Sequence, residues 1–153
     1  MQKIYEVTGM LCKNFVGQIS YTVALPDKYD MLKIGFEFDK QRYTTEDLTD
    51  DIVNEIVTEL SKYEELDLAQ FDDPKDEILK QAKTELQTLA MLNDEFIGCI
   101  HRQMTKREMI FTNNSATEGC LPIENIEGVL KVTILAFSVL MDETPYKLYV
   151  EVE

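Results

Sequence analysis

The stretch Leu130-Lys131-Val132-Thr133-Ile134-Leu135-Ala136-Phe137-Ser138-Val139-Leu140 carries an apolar residue at every even position except Ser138, and its odd positions are mixed. Successive side chains of a strand point to opposite faces, so this pattern predicts a β-strand with one face fully buried and the other partly. The polar break Asp142-Glu143-Thr144-Pro145 follows. Beyond it, Tyr146, Leu148, Val150 and Val152 alternate with Lys147, Tyr149, Glu151 and Glu153. Two such strands across a turn read as a C-terminal hairpin. They define a sheet with one covered face and carry no chemistry of their own.

The N-terminal third repeats the pattern. Phe15, Ile19, Tyr21, Val23 and Leu25 share a face opposite Gln18, Ser20 and Thr22. Pro26-Asp27-Lys28-Tyr29-Asp30 has turn chemistry, because Pro presets φ and Asp bonds locally. Leu32, Ile34, Phe36 and Phe38 then point inward, against Lys33, Glu37 and Asp39. With the weaker strand Lys3–Cys12, joined through Lys13-Asn14, these segments predict a three-stranded antiparallel meander.

Between the two β regions the periodicity is helical. Thr44 and Asp47 resemble a capping box, and Leu48, Ile52, Val53, Ile56, Val57 and Leu60 form one apolar stripe. A loop through Leu66, Leu68 and Phe71 leads to Asp73-Pro74, an N-cap followed by Pro at the first helical position. Ile78, Leu79, Ala82, Leu86, Leu89 and Ala90 are the stripe of a second helix. After Asn93-Asp94, Phe96, Ile97, Ile100 and Met104 continue the helical phase, and Thr105 to Glu108 suggests a further cap. That reading is preferred to a hairpin of Phe96–His101 with Glu108–Thr112. The expected fold is therefore α+β: an antiparallel sheet of about five strands, from the N-terminal meander and the C-terminal hairpin, with the central helices packed on one face. The expected inward set is Ile19, Tyr21, Val23, Leu32, Ile34, Phe36, Phe38, Ile52, Ile56, Leu60, Leu79, Leu86, Val132, Ile134, Leu148 and Val150.

A chain of 153 residues, 44% hydrophobic, reads as one domain over residues 1–153 with a core of its own. The net charge is −14 and unevenly placed: residues 41–82 hold thirteen acids against four bases. Such a charge repels phosphate backbones and anionic lipid, so neither nucleic acid nor membrane is an expected partner. The charge reads first as solubility, the acids being solvated helix faces; the sharper alternative is that the acidic segment meets a basic protein partner or mimics DNA towards a DNA-binding protein. Three cysteines without scaffold spacing, and an opening Met1–Val7 that enters a strand pattern at once, point to the cytoplasm.

Candidate chemistry is sparse. His101 is the only histidine, so any triad or imidazole ligand must use it. Cys99 and His101 share a face on a strand but not on a helix. Cys12, Cys99, His101 and Cys120 have the atoms for zinc but lack a short-spaced ligand pair. Cys12 and Cys99 read as core residues and Cys120 as the accessible thiol, in a polar loop whose candidate site residues are Asn113, Asn114, Ser115, Gly119 and Cys120. Acidic pairs at Asp50-Asp51, Glu64-Glu65 and Asp72-Asp73 lack the spacing of a calcium loop. There is no phosphate loop or nucleophile elbow, and no cofactor is expected. The chain thus reads as a small acidic non-enzymatic interaction or regulatory domain, with Asp47, Asp50, Asp51, Glu55 and Glu59 as its interaction face. The alternative is a small-ligand protein or enzyme with a pocket between sheet and helices near Cys120 and His101. Sheet edges and an exposed Tyr149 leave room for a homodimer.

Overall fold

A computed structural model of the chain describes residues 1–63, 72–101 and 104–153. Eight strands dominate it: β1 (Gln2–Leu11), β2 (Gly17–Tyr29), β3 (Met31–Phe38), β4 (Glu85–Leu92), β5 (Glu95–Ile100), β6 (Lys106–Thr112), β7 (Ile126–Ser138) and β8 (Thr144–Val152). Two short helices, α1 (Asp50–Leu60) and α2 (Pro74–Gln81), lie in the connection from β3 to β4. The strands form two antiparallel sheets, ordered β1-β8-β3-β6 and β2-β7-β4-β5. All eight contribute to one hydrophobic cluster, from Leu32, Ile34 and Phe36 in the first sheet to Leu86, Leu130 and Val132 in the second. The sheets cover each other as a two-layered sandwich.

The α+β expectation is overturned. Among the described residues no helix covers a sheet face, and the helices build a separate small core of Tyr43, Leu48 and Ile78 against Leu140 and Met141. The N-terminal strands form no meander, since β1 pairs with β8, β2 with β7, and β3 with both β8 and β6. Nor do β7 and β8 form a hairpin; they lie in different sheets. Period-2 alternation shows that a strand has one buried face but not which neighbour it bonds. Here most consecutive strands swap layers. Within each sheet the register aligns the apolar rows, with Ile19 opposite Ile134, Tyr21 opposite Val132 and Val23 opposite Leu130.

The second helix stops at Gln81, and Leu86, Leu89 and Ala90 belong to β4. A spacing of four fits both a helix and a strand, so Leu86 and Ala90 suit either period. The inward row is Leu86, Thr88, Ala90 and Leu92, in which a threonine hides the alternation. Asn93 and Asp94 both have positive φ, 51° and 66°, the signature of a two-residue type I′ turn. They fold β4 onto β5. Residues 95–100 and 106–112 are accordingly strands rather than helix, and Thr105 accepts from the Phe38 amide at 2.9 Å instead of capping one. The loop expected through Leu66, Leu68 and Phe71 lies outside the described residues. Of the expected inward set, Ile19, Tyr21, Ile52, Ile56, Leu60 and Leu79 are only half-buried, and the rest are buried.

Polar ties join the layers. Arg107 on β6 is 2% exposed, and its Nη1 donates to the Leu86 carbonyl at 2.7 Å and the Ile100 carbonyl at 3.4 Å. Its Nη2 and Nε donate to the Met104 carbonyl at 2.9 and 3.2 Å. The same guanidinium lies over the rings of Phe36 and Phe38 in the first sheet. Burial pulls its pKa down from 12.5 to about 10, so it stays charged at neutral pH. Towards β1 and β2, the hydroxyls of Tyr21 and Tyr146 hydrogen-bond at 2.6 Å, again across the layers.

Arg107→Ala should leave three carbonyls short of a donor and open a cavity, costing about 3–5 kcal/mol in urea denaturation, with Arg107→Lys recovering only part of it. Tyr146 supplies a pH test. Burial, then the Tyr21 hydroxyl, raise its pKa above the ordinary 10.0. The folded chain therefore holds a proton that the unfolded chain releases. The stability advantage of the wild type over Tyr146→Phe should be constant below the ordinary value and shrink as pH rises beyond it, read by denaturation at stepped alkaline pH.

Candidate functional site

The polar loop after β6 lies along two strand edges. The Ile110 amide donates to Thr117 Oγ1 at 2.9 Å and the Thr117 amide to the Ile110 carbonyl at 3.0 Å. The amides of Thr112 and Ser115 close the turn on the Ser115 carbonyl and Thr112 Oγ1, with Thr112 Oγ1 also donating to Asn114 Oδ1 at 3.1 Å. The chain then crosses to the other sheet, where the Cys99 amide donates to the Gly119 carbonyl at 3.0 Å and the Leu121 amide to the Ile97 carbonyl at 2.8 Å. Gly119 sits at φ +86°, which favours glycine, and Asn113 is exposed. Ser115, Gly119 and Cys120 thereby cap the free edges of β6 and β5.

The thiols are not arranged as the sequence suggests. Cys12 is exposed, while Cys99 and Cys120 are half-buried. Cys120 packs on Gly98, where an added Cβ would meet its Sγ at 2.6 Å. Burial pushes the Cys120 thiol up to about 11 and raises Cys99 as well. His101 is exposed at the end of β5 and lines neither cleft described below. Among the described residues, no three His, Cys, Asp or Glu side chains come together as metal ligands.

The acidic candidates divide into two groups. Asp47 Oδ2 accepts from the Thr44 amide and hydroxyl at 2.8 and 2.9 Å, and this bonding holds its carboxyl below the usual range. The Thr44–Asp47 box forms, but it precedes the helix; Thr49 is the N-cap of α1, accepting from the Ile52 amide. Asp50 and Asp51 occupy the first turn of α1, where the helix dipole favours acids. Glu55 and Glu59 alone line a cleft.

That cleft, of about 770 Å³, opens between the helices and the end of β7. Ile56, Leu60, Ile78, Ala82, Val139 and Leu140 give it apolar walls, and Val16 and Phe137, 70% and 53% exposed, stand at its mouth. Its rim carries Glu55, Glu59, Glu77 and Glu85 against Lys13 and Lys83. Lys13 pairs with Glu55 at 3.1 Å and Lys83 with Glu85 at 3.7 Å. The Tyr43 hydroxyl donates to the Leu140 carbonyl at 3.2 Å, tying the helical connection to β7. No residue of α1 is fully buried, so its apolar stripe is only half covered. The sequence reading missed Glu77, Glu85, Lys13, Val16 and Phe137; Phe137, a large apolar residue on the outward row of β7, was the available signal. A second depression of about 630 Å³ over Gly9 and Tyr146 is flanked by Glu37, Asp39 and Lys147.

The chain belongs to the family DUF6669. That family, described as one of unknown function, matches residues 1–153. No curated protein and no solved structure matches the chain. Among the described residues no helix is long and apolar enough to cross a membrane.

Iodoacetamide labelling of the native protein, followed by mass spectrometry, should modify Cys12 first. Cys99 and Cys120 should react chiefly on unfolding, since both are half-buried with raised pKa, and a Cys120 thiol near 11 leaves roughly one part in ten thousand as thiolate at neutral pH. Fast native labelling of Cys120 would contradict this placement.

Proposed function

We propose that this chain is a non-enzymatic interaction domain whose helix-flanked cleft takes a basic, amphipathic segment of a partner protein. The observation that carries the reading is the cleft itself, with apolar walls under a rim of four glutamates and two lysines. Apolar side chains of such a segment would fill the floor between Ile56, Ile78 and Leu140, while its Lys or Arg residues meet Glu55, Glu59 and Glu77. The rim's own ion pairs are solvent-exposed and individually worth little, so a partner's cations can replace them.

The position of the cleft in the fold supports the same reading. Among the described residues, none between Phe38 and Leu86 belongs to the main hydrophobic cluster. Long connections outside the main core commonly carry function. The net of −9 over residues 41–82 lies in that same connection. A small-ligand or enzymatic site at Cys120 and His101 has less support, because burial keeps the Cys120 thiol protonated and loop main chain occupies the strand edges there.

A synthetic Leu/Lys peptide with helical spacing, followed by fluorescence anisotropy, provides the test. It should bind and should weaken with added salt. Glu55→Lys with Glu59→Lys should reduce affinity at least about tenfold, the order of a close charge pair, and Ile56→Asp should do so at any salt concentration. Asp50→Lys with Asp51→Lys, outside the cleft, should change it far less. Equal losses from both charge reversals would mean attraction to net charge alone and would overturn the site.

A further inference from the structure

Two sheets present four edge strands; β5 and β6 are covered by a loop, and β1 is blunted at its start, which leaves it an uncharged run of only five residues, Val7–Leu11. The loop after β6 bonds along β6 at Ile110 and Thr112 and along β5 at Ile97 and Cys99. On β1 the register shifts between Lys3 and Tyr5, and Lys3 pairs with Glu6 at 2.6 Å across that irregularity. Bulges, charges and covering loops are the devices by which native edges avoid pairing with another chain.

The fourth edge, β2, carries a register shift, Pro26, Asp27 and Lys28 only beyond Leu25, and none of these devices over the longer run Gly17–Leu25. These nine residues contain no charge and no proline, and their register with β7 is regular until Leu25. Gln18, Ser20, Thr22 and Ala24 are exposed on the outer face. Among the described residues, the only main chain that bonds to this segment is that of β7. On a chain of net charge −14, a charge-free edge of this length is out of keeping with the rest of the surface.

We infer that β2 is the homodimerisation edge, pairing antiparallel with β2 of a second copy about a two-fold axis through Tyr21 to make a continuous eight-stranded sheet. The occupant follows from charge. Two copies that each carry −14 approach at least cost where neither presents an acid, and Gly17–Leu25 is such a strip. The register follows from the same strip. Centring on Tyr21 overlaps all nine residues, sets Ile19 against Val23 and Gln18 against Ala24, and keeps inward residues opposite inward ones. A shift of several residues would bring Asp27 and Lys28, or Lys13, into the contact. Tyr21 is already fixed from inside by the Tyr146 hydroxyl and the Tyr5 ring, so little side-chain freedom is lost there.

Sedimentation equilibrium and light scattering at micromolar concentrations test this on the full chain. The wild type should run at twice the 17.7 kDa of one chain and dissociate less as salt rises, because screening relieves the repulsion between copies. Gln18→Glu with Ala24→Glu places like charges opposite each other at both ends of the contact and should give a monomer. Gln18→Lys with Ala24→Glu places opposite charges there and should restore the dimer. Circular dichroism should show all three folded. A monomeric wild type would overturn the inference, even if that edge then took a strand from another protein. So would a Glu/Glu variant that stays dimeric, or a Lys/Glu variant that stays monomeric while folded.

Discussion

The core takes in one charged side chain among the described residues, and the layers are joined around what that charge requires. A guanidinium moved out of water costs several kcal/mol unless its donors are satisfied. Arg107 meets that demand with carbonyls rather than a carboxylate. Leu86 and Ile100 supply oxygens from the second sheet, and Met104 supplies one from the turn that leads back to the first. Phe36 and Phe38 lie beneath it. Because β6 pairs with β3 while its arginine bonds β4 and β5, the side chain fixes one sheet's position against the other. Thr88 Oγ1 is the only buried side-chain polar atom without a partner among the described residues.

The outer face of the first sheet shows a second constraint. Tyr149 lies flat over Gly35, where any Cβ would overlap its ring, and its hydroxyl donates to Glu108 at 3.0 Å. Lys3, Lys33 and Lys147 stand within 5.4–5.7 Å of the ring. The exposed tyrosine expected from alternation is therefore 7% exposed, because glycine on the neighbouring strand lets the ring fold down. Lysines and glutamates alternate across this face, with Lys33 bridging Glu108 and Glu151. It presents balanced charge, unlike the helical connection.

Strand identity was legible in the sequence wherever the inward row was purely aliphatic or aromatic, as in β3, β7 and β8. It failed where an inward position was polar. Thr88 in β4 and Arg107 in β6 interrupt rows that are otherwise Leu86, Ala90, Leu92 and Met109, Phe111. With Thr88 discounted, the spacing of four from Leu86 to Ala90 favours a helix, and with Arg107 discounted only Met109 and Phe111 remain to mark β6 as a strand. The Asn93-Asp94 pair held the correction, since two small polar residues that tolerate positive φ are the chemistry of a type I′ turn. Strand pairing was not legible, because alternation is a property of one strand and partnership a property of two. The lining of the candidate cleft was legible only in its acids. Charge drew attention to Asp47, Asp50, Asp51, Glu55 and Glu59 together, of which Glu55 and Glu59 line the cleft, while its floor includes Val139 and Leu140, residues that alternation assigns to a strand interior.

The distribution of charge ties these observations together. Among the described residues, the connection from β3 to β4 supplies no strand and no residue of the main cluster. Selection for stability alone would shorten such a segment, because ordering residues that bury little apolar surface is unfavourable. Instead the segment folds a small core of Tyr43, Leu48 and Ile78, and that core leaves the stripe of α1 half covered. Lys13 and Phe137, from the sandwich, complete the cleft. Neither the helices nor the sheets alone would make this surface. Its acids lie where a wide apolar opening has been left, and in a protein whose sheets already cover each other that opening has no structural need to exist.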